Sequence, residues 1–179
     1  MLIILGGLPA TGKTSLARGF ARWAGAVHLR VDTIEQAIVR SGALAPPLGP
    51  VGYAVAHALA EEHLRQGLPV IAESVNPLAV TRQAWREVAV RAGTRCLEVE
   101  TICSDPAEHR RRVEQRTVDV PGLDLPDRAA VQSGAYEPWD RDHLVIDTAG
   151  QVVEECVAEL YGAYTDALQG PGPGTTPPP

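Results

Sequence analysis

The sequence predicts an α/β fold in which helices cover both faces of a parallel sheet. Short apolar runs of strand length alternate with stretches of helical periodicity along most of the chain. Between the first run and the first helix stands Gly7-Leu8-Pro9-Ala10-Thr11-Gly12-Lys13-Thr14, which fits the pattern G-x-x-x-x-G-K-[ST] without a mismatch. Polar side chains follow the predicted strands at their carboxyl ends, where parallel sheets of this class bind ligands.

Each predicted element is justified by its own residues. Five apolar runs predict strands at 1–5, 26–31, 68–72, 95–103 and 143–147. Apolar residues at helical spacing predict helices at 15–24, 33–40, 51–66, 77–92, 106–116 and 152–168. Residues 118–142 are expected to be irregular, because turn signals recur through them.

Several helix ends carry specific signals. Gly25 is expected to end the first helix in a left-handed conformation. Asn76-Pro77 is read as an N-cap followed by proline at the first helical position. Asp105-Pro106-Ala107-Glu108 is read as a capping box that opens a basic helix.

Composition narrows the class of protein. The chain has 179 residues, and we expect one domain over residues 1–169 with a Pro/Gly-rich tail at 170–179. A net charge of −6 argues against a broad nucleic-acid-binding surface. Three scattered cysteines, together with the lack of a signal peptide or a long apolar span, lead us to expect a cytoplasmic protein that does not act in a membrane.

The glycine-rich segment predicts a site for a nucleoside triphosphate. Its glycines allow backbone N–H groups to surround phosphate oxygens, and the helix that follows directs its positive end at the same anion. Lys13 would reach the β- and γ-phosphates, and the Thr14 hydroxyl would bind Mg²⁺. Lys13 is also the only lysine among 16 basic residues. We therefore expect ATP and Mg²⁺ as cofactors and assign the binding loop to Gly7, Leu8, Pro9, Ala10, Thr11, Gly12, Lys13, Thr14 and Ser15.

Three kinds of nucleotide-binding protein carry a loop of this pattern. A GTPase is disfavoured because its base-recognition segment needs an N-K-x-D, and no lysine remains outside the loop. An ATPase or nucleotide-binding regulator without a phosphoryl acceptor stays open. A kinase is favoured by Asp32, which follows the second strand and could accept the proton of an acceptor hydroxyl. Asp32 could instead be a helix N-cap.

The basic helix after the fourth strand also favours a kinase. Arg112 and Arg116 are four residues apart and therefore share one helical face. Guanidinium groups stabilise the charge that spreads over a phosphoryl group in transfer. The alternative for any one arginine is a solvated surface paired with Glu108 or Glu114.

These segments resemble the P-loop kinases of the AAA family ATPase, zeta-toxin, chloramphenicol phosphotransferase and polynucleotide kinase-like group. The resemblance covers residues 1 to about 150 and includes the phosphate loop, Asp32, the 70–74 strand end with Arg82 and Trp85, and the Arg112/Arg116 pair. It implies a P-loop NTPase fold with strand order 2-3-1-4-5, similar to nucleoside-monophosphate kinases, and a short arginine-rich lid. It also implies that Asp32 is the general base, that Lys13, Arg112 and Arg116 are catalytic, and that the loop 147–150 flanks the adenine.

The residues that would bind the phosphoryl acceptor are predicted less specifically. Asp32, Glu73, Asn76 and Arg82 are expected to bind a small-molecule or nucleotide-like acceptor, with Glu73 alternatively helping to hold Mg²⁺ through water. The segment 122–139, with Tyr136 and Trp139, could cover this pocket. Alternatively, these two aromatic side chains serve only in ordinary packing. Polynucleotide kinases carry an arginine three residues after the aspartate, whereas this chain has Glu35, which weakens the case for a phosphorylated or nucleic-acid acceptor. The histidines His28, His57, His63 and His143 are interpreted as structural.

Overall fold

The computed structural model describes residues 1–117, 119–122 and 136–169. The strands are β1 (Leu2–Gly6), β2 (Val27–Arg30), β3 (Val70–Glu73), β4 (Cys96–Ile102) and β5 (Leu144–Asp147). The helices in the described ranges are α1 (Lys13–Ala24), α2 (Val31–Arg40), α3 (Val51–Arg65), α4 (Ala79–Arg91), α5 (Pro106–Gln115) and α6 (Val153–Gln169). The strands form one parallel sheet in the order β2-β3-β1-β4-β5, which confirms the predicted order.

Helices cover both faces of this sheet, so its central strand is fully buried. Ile3 and Leu5 of β1 point into a core formed with α1 and α6, whereas Leu2 and Ile4 point into a second core formed with α3 and α4. This explains why β1 reads as a continuous apolar run, since both of its faces exclude water.

The register of the strands gathers their carboxyl ends at one edge. Leu5 of β1 lies opposite Glu73, and Glu73 in turn lies opposite Arg30 of β2. On the other side of β1, Gly6 lies opposite Glu100. The phosphate loop leaves β1 at this same edge, so the fold brings the loop, β2 and β3 together.

Four helix starts differ from the prediction by one or two residues, and two of these differences affect residues of the predicted site. β2 ends at Arg30 and α2 begins at Val31, so Asp32 lies in the first turn of α2 rather than before it. The prediction that Asn76-Pro77 caps α4 is wrong, because α4 begins at Ala79 and its first N–H donates to Glu137 Oε2 at 2.7 Å. A carboxylate from a distant part of the chain thus performs the role that the local sequence assigned to Asn76.

Other signals are confirmed. Gly25 follows α1 with φ +63°, as expected for a left-handed helix end. Asp105 caps α5 by accepting from the N–H groups of Ala107 and Glu108 at 2.8 and 3.2 Å.

The predicted tail at 170–179 lies outside the described residues. Among the described residues, no helix has both the length and the apolar character that crossing a membrane requires.

Candidate active site

The phosphate loop is held in shape by threonines and by backbone that favours glycine. Gly7 has φ +136°, and a side chain there would collide with Thr101, whose Oγ1 would lie 2.7 Å from the added carbon. Gly12 has φ +97° and is the N-cap of α1. The hydroxyls of Thr11 and Thr101 lie 2.9 Å apart, and Thr101 donates to the Gly6 carbonyl at 3.0 Å. The loop therefore depends on β4 as well as on its own glycines.

The remaining loop residues occupy the turn between β1 and α1. Ala10 adopts a left-handed conformation with φ +65°. The carbonyl of Pro9 lies 2.8 Å from His109 Nε2 of α5, and the carbonyl of Leu8 accepts from the Thr11 hydroxyl at 2.9 Å. Ser15 lies in the first turn of α1 and lines the adjoining cleft.

Lys13 is buried beneath this loop. Its Nζ donates to the carbonyls of Gly7 and Leu8, each at 2.8 Å. Burial lowers the pKa of Lys13 to about 8, although the carboxylates of Glu73 and Asp32 act in the opposite direction. A lysine with so little solvation gains from a strong anionic partner, which is what a triphosphate would supply.

Thr14 and Glu73 meet directly. The Thr14 hydroxyl donates a hydrogen bond to Glu73 Oε1. Glu73 Oε2 lies 2.7 Å from His28 Nε2, and Arg30 Nε lies 3.8 Å from Oε1. Burial alone would raise the pKa of Glu73, but the hydrogen bonds from His28 and Thr14 and the nearby positive charge hold it below its usual value. Glu73 is thus a buried carboxylate beside the residue expected to bind Mg²⁺.

Asp32 lies close enough to Lys13, Arg30 and Arg116 to interact with them electrostatically. Its Oδ2 is 3.4 Å from Arg30 Nη2, and its side chain is 40% exposed. Its charge acts on Lys13 and on Arg116, whose pKa burial lowers and Asp32 partly restores. The N-cap alternative is wrong, because the N-cap position of α2 belongs to Arg30 and Asp32 lies inside the helix.

Arg112 connects α5 with the loop after β5. Its Nη1 donates to Thr148 Oγ1 at 2.7 Å, and its Nη2 donates to the Thr148 carbonyl at 2.8 Å and to Glu108 Oε1 at 2.6 Å. Thr148 Oγ1 in turn lies 2.8 Å from the Thr11 carbonyl of the phosphate loop. Glu108 also accepts from the Gly150 N–H at 3.0 Å, so it joins α5 to this loop rather than completing a capping box.

A cleft of about 490 Å³ opens between the phosphate loop, α1 and α5. Five of its lining side chains in the described ranges are basic: Lys13, Arg18, Arg30, Arg112 and Arg116. Asp119 also lines it and bridges two of these cations, with Oδ2 at 2.8 Å from both Arg18 Nη2 and Arg30 Nη1. The cleft is suited to an anion with several charges.

Asn76 and Arg82 are placed away from solvent. Both are fully buried, and Asn76 Nδ2 donates to the Leu5 carbonyl at 3.3 Å. Arg82 donates to the carbonyls of Asn76, Glu137 and Pro138 at 3.2, 3.2 and 2.9 Å, and its guanidinium lies 4.9 Å from the centre of the Trp139 ring. In this geometry Arg82 connects α4 with residues 137–139.

The predicted cover of the acceptor pocket is only partly described, because residues 123–135 lie outside the described ranges. Tyr136 donates to Glu100 Oε1 at 2.8 Å, and Trp139 Nε1 donates to the Tyr136 hydroxyl at 3.1 Å. A methyl group at Gly6 would lie 2.8 Å from the Trp139 ring, so this indole packs on the end of β1.

The sequence did not predict that Tyr53 lies at the site or that Glu35 is partly buried near Asp32. Burial and the charge of Asp32 raise the pKa of Glu35, and a side chain at Gly52 of α3 would collide with Glu35. Burial also raises the pKa of Tyr53, with the charges of Glu35 and Asp32 adding to the effect. The pairing of α2 with α3 brings Tyr53 close to Asp32 and Glu35, and no local pattern in the sequence signals this approach.

This combination of sheet order, phosphate loop and strand-end carboxylates defines the fold of the P-loop kinases. The family model described as AAA domain, AAA_33, matches residues 2–133, and the chain belongs to that family.

Two solved structures share this fold. Kti12 of Chaetomium thermophilum, solved with ADP-AlF3, superposes with a TM-score of 0.69 at 19% identity, covering 95% of this chain and 100% of that one. A gluconokinase from Sinorhizobium meliloti superposes with a TM-score of 0.63 at 20% identity, covering 94% of this chain and 97% of that one. Among curated sequences, the uncharacterized protein Rv2004c of Mycobacterium tuberculosis is 28% identical over 93% of this chain. This chain spans only 35% of that relative's length.

Proposed function

We propose that this protein is an ATP-dependent phosphotransferase that moves the γ-phosphate of ATP to a hydroxyl group of a small-molecule or nucleotide-like acceptor. The observation that carries this proposal is the convergence of the Lys13–Thr14 loop, the buried Glu73 and the accessible Asp32 at one edge of the sheet. The kinase fold shared with the gluconokinase supports a small metabolite as the acceptor.

The residues present fit Mg²⁺ as the accompanying ion. The Thr14 hydroxyl and the Glu73 carboxylate are in contact, and Mg²⁺ in nucleotide sites is held by one or two such groups together with substrate phosphates. When bound, the ion would neutralise charge on the phosphate oxygens.

In the proposed reaction, loop N–H groups and Lys13 bind the triphosphate. Asp32 accepts the proton of the acceptor hydroxyl as that oxygen bonds to the γ-phosphorus and the bond to the β,γ-bridging oxygen breaks, releasing ADP. Arg116 and Arg112 line the same cleft and would offset the charge of the transferred group. A smaller cleft of about 190 Å³ beside Gly12, Leu16, Thr148 and Val153 supports placement of the nucleoside there.

The test is ATP turnover with Mg²⁺, measured alone and with pools of hydroxyl-bearing metabolites, nucleosides and antibiotics. We expect ADP release to increase with one pool and a product heavier by one phosphoryl group to appear in the mass spectrum. The Lys13→Met variant serves as the control for contaminating kinases. Turnover that no pool changes would contradict the proposal and favour an ATPase or a nucleotide-binding regulator.

A further inference from the structure

Strand β2 directs two basic side chains toward Glu73. His28 and Arg30 are two residues apart on β2 and therefore share one face of the sheet. Arg30 lies opposite Glu73 in the register, and His28 lies opposite Ile71, whose side chain belongs to the core under α1. This is the face on which α1 begins, so His28, Glu73 and Thr14 come together beneath the phosphate loop.

The two oxygens of Glu73 are divided between different partners. Oε2 is 2.7 Å from His28 Nε2, while Oε1 accepts from the Thr14 hydroxyl and lies 3.8 Å from Arg30 Nε. The Glu73 side chain is 3% exposed, so water contributes little to its orientation. Because His28 engages one oxygen, the carboxylate is fixed with its other oxygen toward Thr14.

We propose that His28 is a positioning residue for the metal–nucleotide site, acting through Glu73 to hold Oε1 at the Thr14 hydroxyl. The inference rests on the proposed function, in which Thr14 and Glu73 hold Mg²⁺, and it adds a residue that the sequence interpretation assigned to structure alone. Partners that orient a metal-binding carboxylate contribute strongly to metal affinity although they never touch the ion.

The chain contains a matched pair for comparison. His143 Nε2 lies 3.2 Å from Glu100 Oε2, and the side chains of this pair are 16% and 17% exposed, similar to the 17% of His28. The other oxygen of Glu100 accepts from Tyr136 rather than from a loop threonine, and the His143 ring stacks on Trp139 at 4.5 Å. The His28 pair joins β2 to β3, and the His143 pair joins the residue before β5 to β4, but only the His28 pair includes the partner of Thr14.

The experiment measures ADP affinity by calorimetry, once with Mg²⁺ and once with EDTA. The ratio of the two dissociation constants gives the contribution of the ion to binding. For His28→Ala we expect this ratio to fall by about tenfold, while the affinity in EDTA stays within about twofold of wild type. His28→Gln, whose amide can still donate to Glu73, should recover most of the ratio, and His143→Ala should leave both values unchanged.

Every other outcome either overturns the inference or counts against the proposed function. An unchanged ratio in His28→Ala overturns the inference. Equal weakening in Mg²⁺ and in EDTA also overturns it, because His28 would then support the fold of the site as a whole. A wild-type protein that binds ADP without any gain from Mg²⁺ removes the metal role of Thr14 and Glu73 and the inference with it. Failure of wild type to bind ADP under either condition instead counts against the proposed function itself.

Discussion

The half of the candidate site beside α5 and the half beside α2 differ in charge and in what holds their side chains. Toward α5, Lys13, Arg112 and Arg116 present positive charge to a common cleft. Toward α2, Asp32 and Glu35 present negative charge, and Tyr53 of α3 lies near both. Burial penalises the charge in each half, since it lowers the pKa of Lys13 and raises the pKa of Glu35.

This difference in charge indicates which ligand groups each half can stabilise. A buried cation is relieved by an anion, so the α5 half is suited to the phosphates of a nucleotide. A pair of carboxylates repels an anion but accepts hydrogen bonds from hydroxyl or amine groups, so the α2 half is suited to an uncharged or basic acceptor.

The largest expected effect separates the two halves by function. Asp32→Asn should lower phosphoryl transfer by about 10²-fold or more, because it removes the proposed base, while ADP affinity remains close to wild type. Steady-state ADP release with the activating pool and calorimetry with ADP measure the two properties. Asp166→Asn on the exposed side of α6 is the control. Full transfer activity in Asp32→Asn would place the base elsewhere.

A smaller effect tests the charge of the α5 half through pH. With a pKa of about 8, Lys13 in the ligand-free protein loses its proton as the pH rises above that value. ADP affinity should therefore weaken by about tenfold between pH 7.5 and 9.5, since deprotonation removes the charge that binds phosphate. In Lys13→Met the affinity should be lower throughout and much less dependent on pH. A flat profile in wild type would show that the charge of Lys13 does not govern binding.

The smallest effect concerns the stability of the α2 half. The folded protein raises the pKa of Glu35, so the ionised carboxylate costs stability above that pKa, and the cost disappears as the pH falls below the ordinary value of 4.5. Glu35→Gln should accordingly have a slightly higher Tm than wild type at pH 7, with a difference that shrinks toward pH 4. Glu159→Gln, on the exposed surface of α6, controls for loss of one carboxylate. A lower Tm for Glu35→Gln at pH 7 would mean that its contacts outweigh the cost of burial.

The sequence predicted the elements that depend on neighbouring residues. The phosphate loop, Gly25 after α1 and the Asp105 cap of α5 are all specified within a few residues, and the structure contains each of them. The prediction for Asn76-Pro77 failed because the acceptor for the first N–H of α4 is Glu137, which lies 58 residues away in sequence. The second strand ends one residue earlier than predicted and the second helix begins two residues earlier, which moved Asp32 from a strand end into a helix.

By itself, the sequence determined the fold class, the strand order implied by resemblance and the loop that would bind phosphate, because alternating apolar runs and a contiguous glycine pattern are local properties of the chain. Only the tertiary structure placed His28 against Glu73, Arg82 against residues 137–139, and Tyr53 of α3 near Asp32 and Glu35 of α2. Those contacts join strands and helices that are far apart in sequence. Their geometry depends on sheet register and helix packing, which no short pattern of residues records.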